Sequence, residues 1–163
     1  MRRVRLTGLF AALAAAGIVL SACSSTGDNP FAALINPTPR DLPPLYKPEE
    51  IVGRWGIASY TRDADRSRTE AAARKQCAKA YVISKGPSGG VMMHMPDQTQ
   101  ATELRIKSSA DARTFIGPGG EAGGAEDREI VSFDGRVLVT RYVDQELATR
   151  YGTMVYVRCG PGA

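Results

Sequence analysis

The chain has 163 residues, 43% hydrophobic and 23% charged, a size and composition that fit one globular domain better than two. Its formal net charge of +4 comes mainly from three arginines at the start of the chain, Arg2, Arg3 and Arg5. Without residues 1–22, 18 of the 21 basic residues remain against 17 acidic ones, a net charge of +1. This balance gives no reason to expect nucleic-acid binding.

The N-terminal segment has the pattern of an export signal. The arginines precede an uncharged apolar stretch, residues 9–20, which is too short and too soon followed by polar sequence to span a membrane comfortably. Leu20-Ser21-Ala22-Cys23 follows and resembles the lipobox of bacterial lipoproteins. The resemblance implies a signal peptide of residues 1–22, cleavage before Cys23, diacylglycerol on its sulfur and a further acyl chain, such as palmitate, on its amine. An ordinary secretory signal is the alternative.

The same resemblance implies a location. Several acyl chains together give an anchor that one chain does not, because each buried methylene adds only about 0.8 kcal/mol. In lipoprotein sorting, an aspartate after the lipidated cysteine would imply retention at the inner membrane, and this chain has Ser24. We expect an outer-membrane anchor with the domain facing the periplasm. Exposure at the cell surface remains open.

Residues 23–48 have the composition of a tether. They contain six of the ten prolines: Pro30, Pro37, Pro39, Pro43, Pro44 and Pro48. Because proline removes a backbone donor and fixes φ, such a segment favours an extended conformation over a helix or a central strand. The sequence predicts a lipidated cysteine and proline-rich tether over 23–48, followed by one β-rich domain over 49–163.

The two remaining cysteines, Cys77 and Cys159, predict a disulfide. Exported proteins fold in an oxidising compartment, where a leftover pair is most simply bonded. Two free buried thiols or a redox pair are the alternatives, although the chain has no Cys-x-x-Cys motif.

The first predicted elements are a strand over residues 52–60 and a helix over 63–79. Asp63 or Asp65 is expected to cap the helix, and Glu70 to face arginines one turn away. A stripe of small residues, Ala73, Cys77 and Ala80, indicates that this helix lies close against a sheet with Cys77 inward.

Strand patterns dominate the rest of the chain. Asp134-Gly135 is the strongest hairpin signal and predicts a type I′ turn. A brief helical turn is expected over 144–150, ended by Gly152. The predicted fold is mainly β (α+β): a small antiparallel barrel or curved sheet of about eight strands with one helix packed on it. The later strands are expected at residues 81–84, 91–95, 103–107, 113–116, 129–133, 136–143 and 153–159.

The first predicted strand contains Val52-Gly53-Arg54-Trp55-Gly56. This Gly-x-Trp opening resembles the first strand of lipocalin-like barrels and, among lipoproteins, is similar to the Inh-type protease-inhibitor barrels. The resemblance implies that Trp55 closes one end of a barrel and that protease inhibition is one candidate function. The chain departs from those barrels in its helix after the first strand and in the C-terminal position of its second cysteine.

Motifs for catalysis and metal binding are sparse. His94 is the one histidine and no nucleophile elbow is present, so we expect no catalytic residues and no enzyme activity. In Met92-Met93-His94-Met95, strand alternation places Met92 and His94 on one face, which leaves a Cu(I) site as an alternative. The glycine-rich run over 117–124 lacks the lysine of a phosphate loop and predicts a surface loop.

The sequence therefore predicts a non-enzymatic envelope lipoprotein without a cofactor. Its expected partner is another envelope protein, a cell-wall component or a small apolar ligand. A barrel-type protease inhibitor and a periplasmic copper-binding protein are the alternative functions.

Overall fold

A computed structural model describes residues 43–160 of the chain. The signal segment, the lipobox with Cys23 and most of the predicted tether lie outside these residues. Within 43–160, eight strands form a closed antiparallel barrel in which each strand pairs with the next and the last pairs with the first. This confirms the predicted fold class and decides for a barrel over an open sheet. The strands are β1 Gly53–Tyr60, β2 Tyr81–Lys85, β3 Val91–His94, β4 Ala101–Ser108, β5 Thr114–Gly117, β6 Arg128–Phe133, β7 Val137–Tyr142 and β8 Thr153–Arg158.

Three α-helices accompany the strands in the described part of the chain: α1 Pro48–Ile51, α2 Arg66–Lys75 and α3 Gln145–Tyr151. The predicted helix over 63–79 is helical throughout, but 3₁₀ turns at Asp63–Asp65 and Gln76–Lys79 flank its α-helical part. The predicted aspartate cap is wrong, because no side-chain cap bond forms at this end. The Asp65 carboxylate instead pairs with Arg62 and Arg68.

Helix α2 lies on the outside of β1 and β8. A Cβ atom at Gly56 would lie 1.9 Å from the carbonyl oxygen of Ala73, so only glycine allows this close approach. Val155 and Val157 are buried in the same outer cluster. At the end of the helical segment Cys77 is bonded to Cys159, with a Cα–Cα distance of 5.5 Å, which confirms the predicted disulfide.

Inward side chains fill the barrel. Strand alternation gives each strand one apolar inner face, as predicted for Leu104 and Ile106 of β4. We call the end of the barrel near Trp55 and Arg158 the lower end, and the end near Arg128 and Tyr142 the upper end. The side chains of the interior that are at most 1% exposed include Trp55, Ile83, Val91, Met93, Leu104, Ile116 and Leu138.

The turn between β6 and β7 forms the expected hairpin, but its type differs from the prediction. Type I′ needs positive φ at two consecutive residues, and here only Gly135 has one, at 85°. The carboxylate of Asp134 accepts hydrogen bonds from the amides of Arg136 and Val137. These bonds hold Asp134 before the turn rather than in its centre.

The N-terminal part of the described chain lies along the lower end. The ring of Tyr46 packs edge-on against Phe133 with 5.3 Å between centroids, and the hydroxyl of Ser108 donates to the carbonyl oxygen of Pro43. Among residues 43–160 no helix has the length and apolar character needed to cross a membrane.

Candidate functional site

An arginine that donates a hydrogen bond from each of its three guanidinium nitrogens closes the lower end of the barrel. The guanidinium of Arg158 lies 4.2 Å from the centre of the Trp55 ring system. Its Nε donates to Gly135 O at 2.7 Å and its Nη1 to Val52 O at 3.0 Å, and its Nη2 donates to the carbonyl oxygen of Glu50. Trp55, itself 0% exposed, donates from Nε1 to the carbonyl oxygen of Ile51 at 2.9 Å. Each side-chain nitrogen of Trp55 and Arg158 therefore donates a hydrogen bond within the fold.

A second arginine lies inside the upper end and is more deeply buried than Arg158. Arg128 is 3% exposed, and its guanidinium lies 4.9 Å from the centroid of the Tyr142 ring. One terminal nitrogen donates to the carbonyl oxygen of His94, and the guanidinium also interacts with the hydroxyls of Tyr142 and Tyr156. Its Nε has no hydrogen-bond partner. Among the acidic residues of segment 43–160, none is ion-paired with it.

The surroundings of Arg128 are polar but uncharged. Burial raises the pKa of the Tyr81 and Tyr142 hydroxyls above the ordinary tyrosine value, so both stay protonated at neutral pH. Burial acts to lower the pKa of Arg128, but the hydroxyls of the three tyrosines around it more than offset this effect, and the net shift is upward. The upper interior therefore carries one positive charge that no anionic side chain balances in the described structure.

Two buried hydroxyls without partners lie on the strands that flank β6. Thr140 and Thr114 are 0% and 3% exposed, and neither Oγ1 makes a hydrogen bond. Thr140 pairs with Ile130 of β6, and the pairing of Phe115 with Glu129 places Thr114 at the level of Ile130 from the other side. Ile130 is the next inward residue after Arg128. The three unsatisfied polar atoms therefore line one sector of the barrel wall, formed by β5, β6 and β7.

The predicted copper ligands lie on β3, away from this sector. Met93 and Met95 are buried in the core, whereas Met92 and His94 are partly exposed on the other face of β3, as alternation predicts. His94 Nδ1 lies 3.3 Å from the hydroxyl of Tyr81. Within residues 43–160, no three histidine, cysteine or acidic side chains converge as a metal site.

The glycine-rich run forms a loop on the outside of the barrel, held by an internal ion pair. Lys107 Nζ lies 2.7 Å from Asp127 Oδ1 and donates to the carbonyl oxygens of Pro118 and Glu121. Asp127 Oδ2 accepts from the amides of Gly123 and Gly124. The Asp127 carboxylate thus already accepts the hydrogen bonds from the backbone amides with which a phosphate would have to interact.

Sequence reasoning missed Arg128 and the two threonines. The predicted strand began one residue too late, at Glu129, which left Arg128 in the preceding loop. Extending the alternation backwards from Ile130 would have placed it inward. That these side chains lack hydrogen-bond partners can be recognised only when the three strands are placed together in the barrel.

Comparison with known proteins gives no relative from which a function could be carried over. A scan against protein-family models and searches of curated proteins and of solved structures found no match for this chain.

Proposed function

We propose that this chain is an outer-membrane-anchored lipoprotein, held through acylated Cys23, whose periplasmic barrel is a non-enzymatic binding module. The ligand occupies the upper interior. One observation carries this proposal: Arg128 is buried in the barrel without an anionic partner among the described residues.

The cost of such a charge supports a role in binding. Taking an ion out of water costs several kcal/mol even after the protein relaxes, and burial is usually compensated by a counter-ion and complete hydrogen bonding. Arginine cannot escape this cost by losing its proton, because its pKa lies above 12. A buried, incompletely bonded arginine is therefore a candidate binding residue on physical grounds.

The contacts at the two ends of the barrel favour entry of a ligand at the upper end. Below, Trp55 and Arg158 fill the barrel end, and the described end of the tether lies against the same side. Above, α3 connects β7 to β8, and Arg150 and Tyr151 each contact Asp97 of the β3–β4 loop at 2.8 Å. Exposed contacts of this kind contribute little stability, so this bridge opens at small cost.

Native mass spectrometry tests the proposal. Lipidated protein purified from envelope membranes is expected to carry a small molecule that Arg128→Met loses. Arg54→Met is the matched control, because Arg54 is exposed on the outside of β1. In parallel, Cys23→Ser is expected to leave the membrane fraction. A protein that carries no ligand from its native envelope, or one whose ligand survives Arg128→Met, contradicts the binding role.

Protease inhibition is the second candidate, and one observation favours it. Leu45 is 70% exposed, while Pro43 and Tyr46 on either side of it contact the barrel. This arrangement presents an apolar side chain on a bend that is supported on both sides. Incubating the protein with a panel of secreted proteases tests it, with Leu45→Asp expected to abolish inhibition and Val82→Asp, another exposed apolar position, as the control. Unimpaired proteolysis at stoichiometric excess of the protein eliminates this candidate.

A further inference from the structure

The chain segments at the two ends of the barrel differ in charge. Those at the upper end, residues 61–65, 95–100, 118–127 and 143–152, contain eight acidic residues and two basic ones. Those at the lower end, residues 43–52, 86–90, 109–113 and 134–136, contain four acidic residues and three basic ones. An anionic surface would therefore repel the upper end more strongly than the lower end.

Cations without acidic partners lie toward the lower end, on the outside of β1 and beside it. Four exposed basic side chains form no ion pair within residues 43–160: Arg54, Arg74, Lys75 and Lys79. The last three lie at the end of the helical segment 63–79. Cys159 holds that end beside β1, because its amide donates to the carbonyl oxygen of Arg54 at 2.8 Å and its sulfur is bonded to Cys77.

An exposed apolar side chain adjoins these cations. Val82 of β2 is 57% exposed and pairs across the strands with Arg54, so the two side chains lie on the same outer face of the barrel. We call Arg54, Arg74, Lys75, Lys79 and Val82 the basic face. Basic side chains around an apolar one suit the surface of a membrane, where anionic head groups border the hydrocarbon.

The expected anchor would keep this face close to a membrane. Residues 24–42 separate Cys23 from Pro43, and Pro43 contacts the lower end of the barrel. In the extended conformation that prolines favour, these residues would span at most roughly 60 Å, at about 3.1 Å per residue. A short tether gives a second contact a high effective concentration, so an interaction too weak to hold a free protein suffices for a tethered one.

We propose that the basic face docks on anionic lipid head groups of the membrane that holds Cys23. This proposal rests on the proposed anchor and adds the orientation of the domain, in which the upper end stays accessible to a ligand. A basic residue close to an anionic membrane strengthens association roughly fivefold, so four such residues together contribute roughly several hundredfold.

Paramagnetic relaxation in nanodiscs tests this orientation. The lipidated whole chain, labelled with ¹⁵N, is inserted through its anchor into nanodiscs that contain a gadolinium-chelating lipid. The discs are made either with phosphatidylglycerol in phosphatidylcholine or with phosphatidylcholine alone. In the anionic discs we expect the amide signals of Lys79 and Val82 to broaden several-fold more than those of Asp97 and Glu146 at the upper end. This difference should disappear at high salt and in the neutral discs.

A pair of charge variants tests the cations. Lys75→Gln/Lys79→Gln should lower the docking equilibrium roughly 25-fold and remove most of the difference in broadening. Arg62→Gln/Arg68→Gln removes the same charge from the other end of the helical segment and should preserve it.

A second pair of variants tests the apolar contact. Val82→Asp should weaken docking, because it places a negative charge in the basic face. Val131→Asp, at an exposed position of β6 on the opposite side of the barrel, should not. Urea unfolding of each variant verifies that it is folded.

Three outcomes overturn this proposal. The first is equal broadening at both ends in anionic discs. The second is a difference that survives Lys75→Gln/Lys79→Gln, since the tether alone would then orient the domain. The third is a shift of the Lys79 and Val82 signals with soluble peptidoglycan fragments but no broadening by anionic lipid, which would assign the basic face to the cell wall. All three leave the anchor and the binding barrel in place, whereas a Cys23 without acyl chains or a ligand-free protein in mass spectrometry contradicts the proposed function itself.

Discussion

The two ends of the barrel each place an arginine beside an aromatic ring, but Arg128 at the upper end is buried whereas Arg158 at the lower end is only partly buried. At the lower end Arg158 donates to three backbone carbonyls and covers Trp55. At the upper end Arg128 donates to one backbone carbonyl, interacts with the hydroxyls of Tyr142 and Tyr156, and leaves its Nε unbonded. All three guanidinium nitrogens of the partly exposed arginine donate hydrogen bonds, whereas one nitrogen of the buried arginine has no partner.

The difference separates a structural role from a binding role. A side chain that donates from every nitrogen to the backbone ties chain segments together, and the segments that Arg158 joins are distant in sequence: α1, the β6–β7 turn and β8. A side chain with an unused buried donor costs stability, because the group lost its water without gaining a partner. Four predictions test this comparison, from the largest expected effect to the smallest.

The disulfide beside Arg158 is expected to contribute most. Cys77 and Cys159 are 82 residues apart, and in the chain-entropy model a loop of this length gives roughly 4 kcal/mol as an upper figure. The double variant Cys77→Ser/Cys159→Ser should lose about this much unfolding free energy in urea. Cys23→Ser, outside the barrel, serves as the control and should lose none. A loss below about 1 kcal/mol would show that the bond does not restrain the unfolded chain.

Arg158→Met should cost about 3 kcal/mol of unfolding free energy, because it leaves carbonyl groups at the lower end without donors. Urea unfolding measures this, with Arg54→Met on the exposed face of β1 expected to change stability by less than about 0.5 kcal/mol. Equal effects of the two substitutions would mean that the Arg158 side chain does not hold the chain segments at the lower end together.

Arg128→Met should have a much smaller effect on the ligand-free protein, within about 1 kcal/mol of zero and in either direction. Replacing an incompletely bonded buried charge by an apolar side chain of similar length is often neutral or stabilising. The same unfolding measurement, after ligand removal, compares it with Arg158→Met. A cost as large as that of Arg158→Met would make Arg128 a second structural clamp and remove the contrast between the two ends.

The smallest expected effect is a loss of stability in alkali from the upper end. Burial raises the pKa of Tyr81 and Tyr142 in the folded protein, so these hydroxyls bind protons more tightly there than in the unfolded chain. Their contribution is therefore fully present below the unfolded tyrosine pKa of about 10 and declines as pH rises above it. Urea unfolding between pH 9 and 11 should show a shallower decline in Tyr81→Phe/Tyr142→Phe. An identical decline in both proteins argues against the burial effect.

Much of the fold could be predicted from local pattern. Alternation gave β4 its inner face, the small residues around Ala73 gave the close helix packing, and the cysteine count gave the disulfide. Two local predictions, the aspartate cap of α2 and the type I′ turn, were wrong because the carboxylate concerned makes a different contact. The Asp65 carboxylate pairs with two arginines instead of capping α2, and Asp134 binds the amides of its own turn instead of entering it.

The candidate site could not be predicted in this way. Arg128, Thr114 and Thr140 lie on three different strands, and each one read alone is an ordinary strand residue. The sequence by itself determined the β-rich domain, its alternating core strands and its cysteine pair, because these depend on periodicity and composition. Only the closed barrel decided that Arg158 donates from all three guanidinium nitrogens while Arg128 leaves its Nε without a partner, because hydrogen bonding depends on which strands meet.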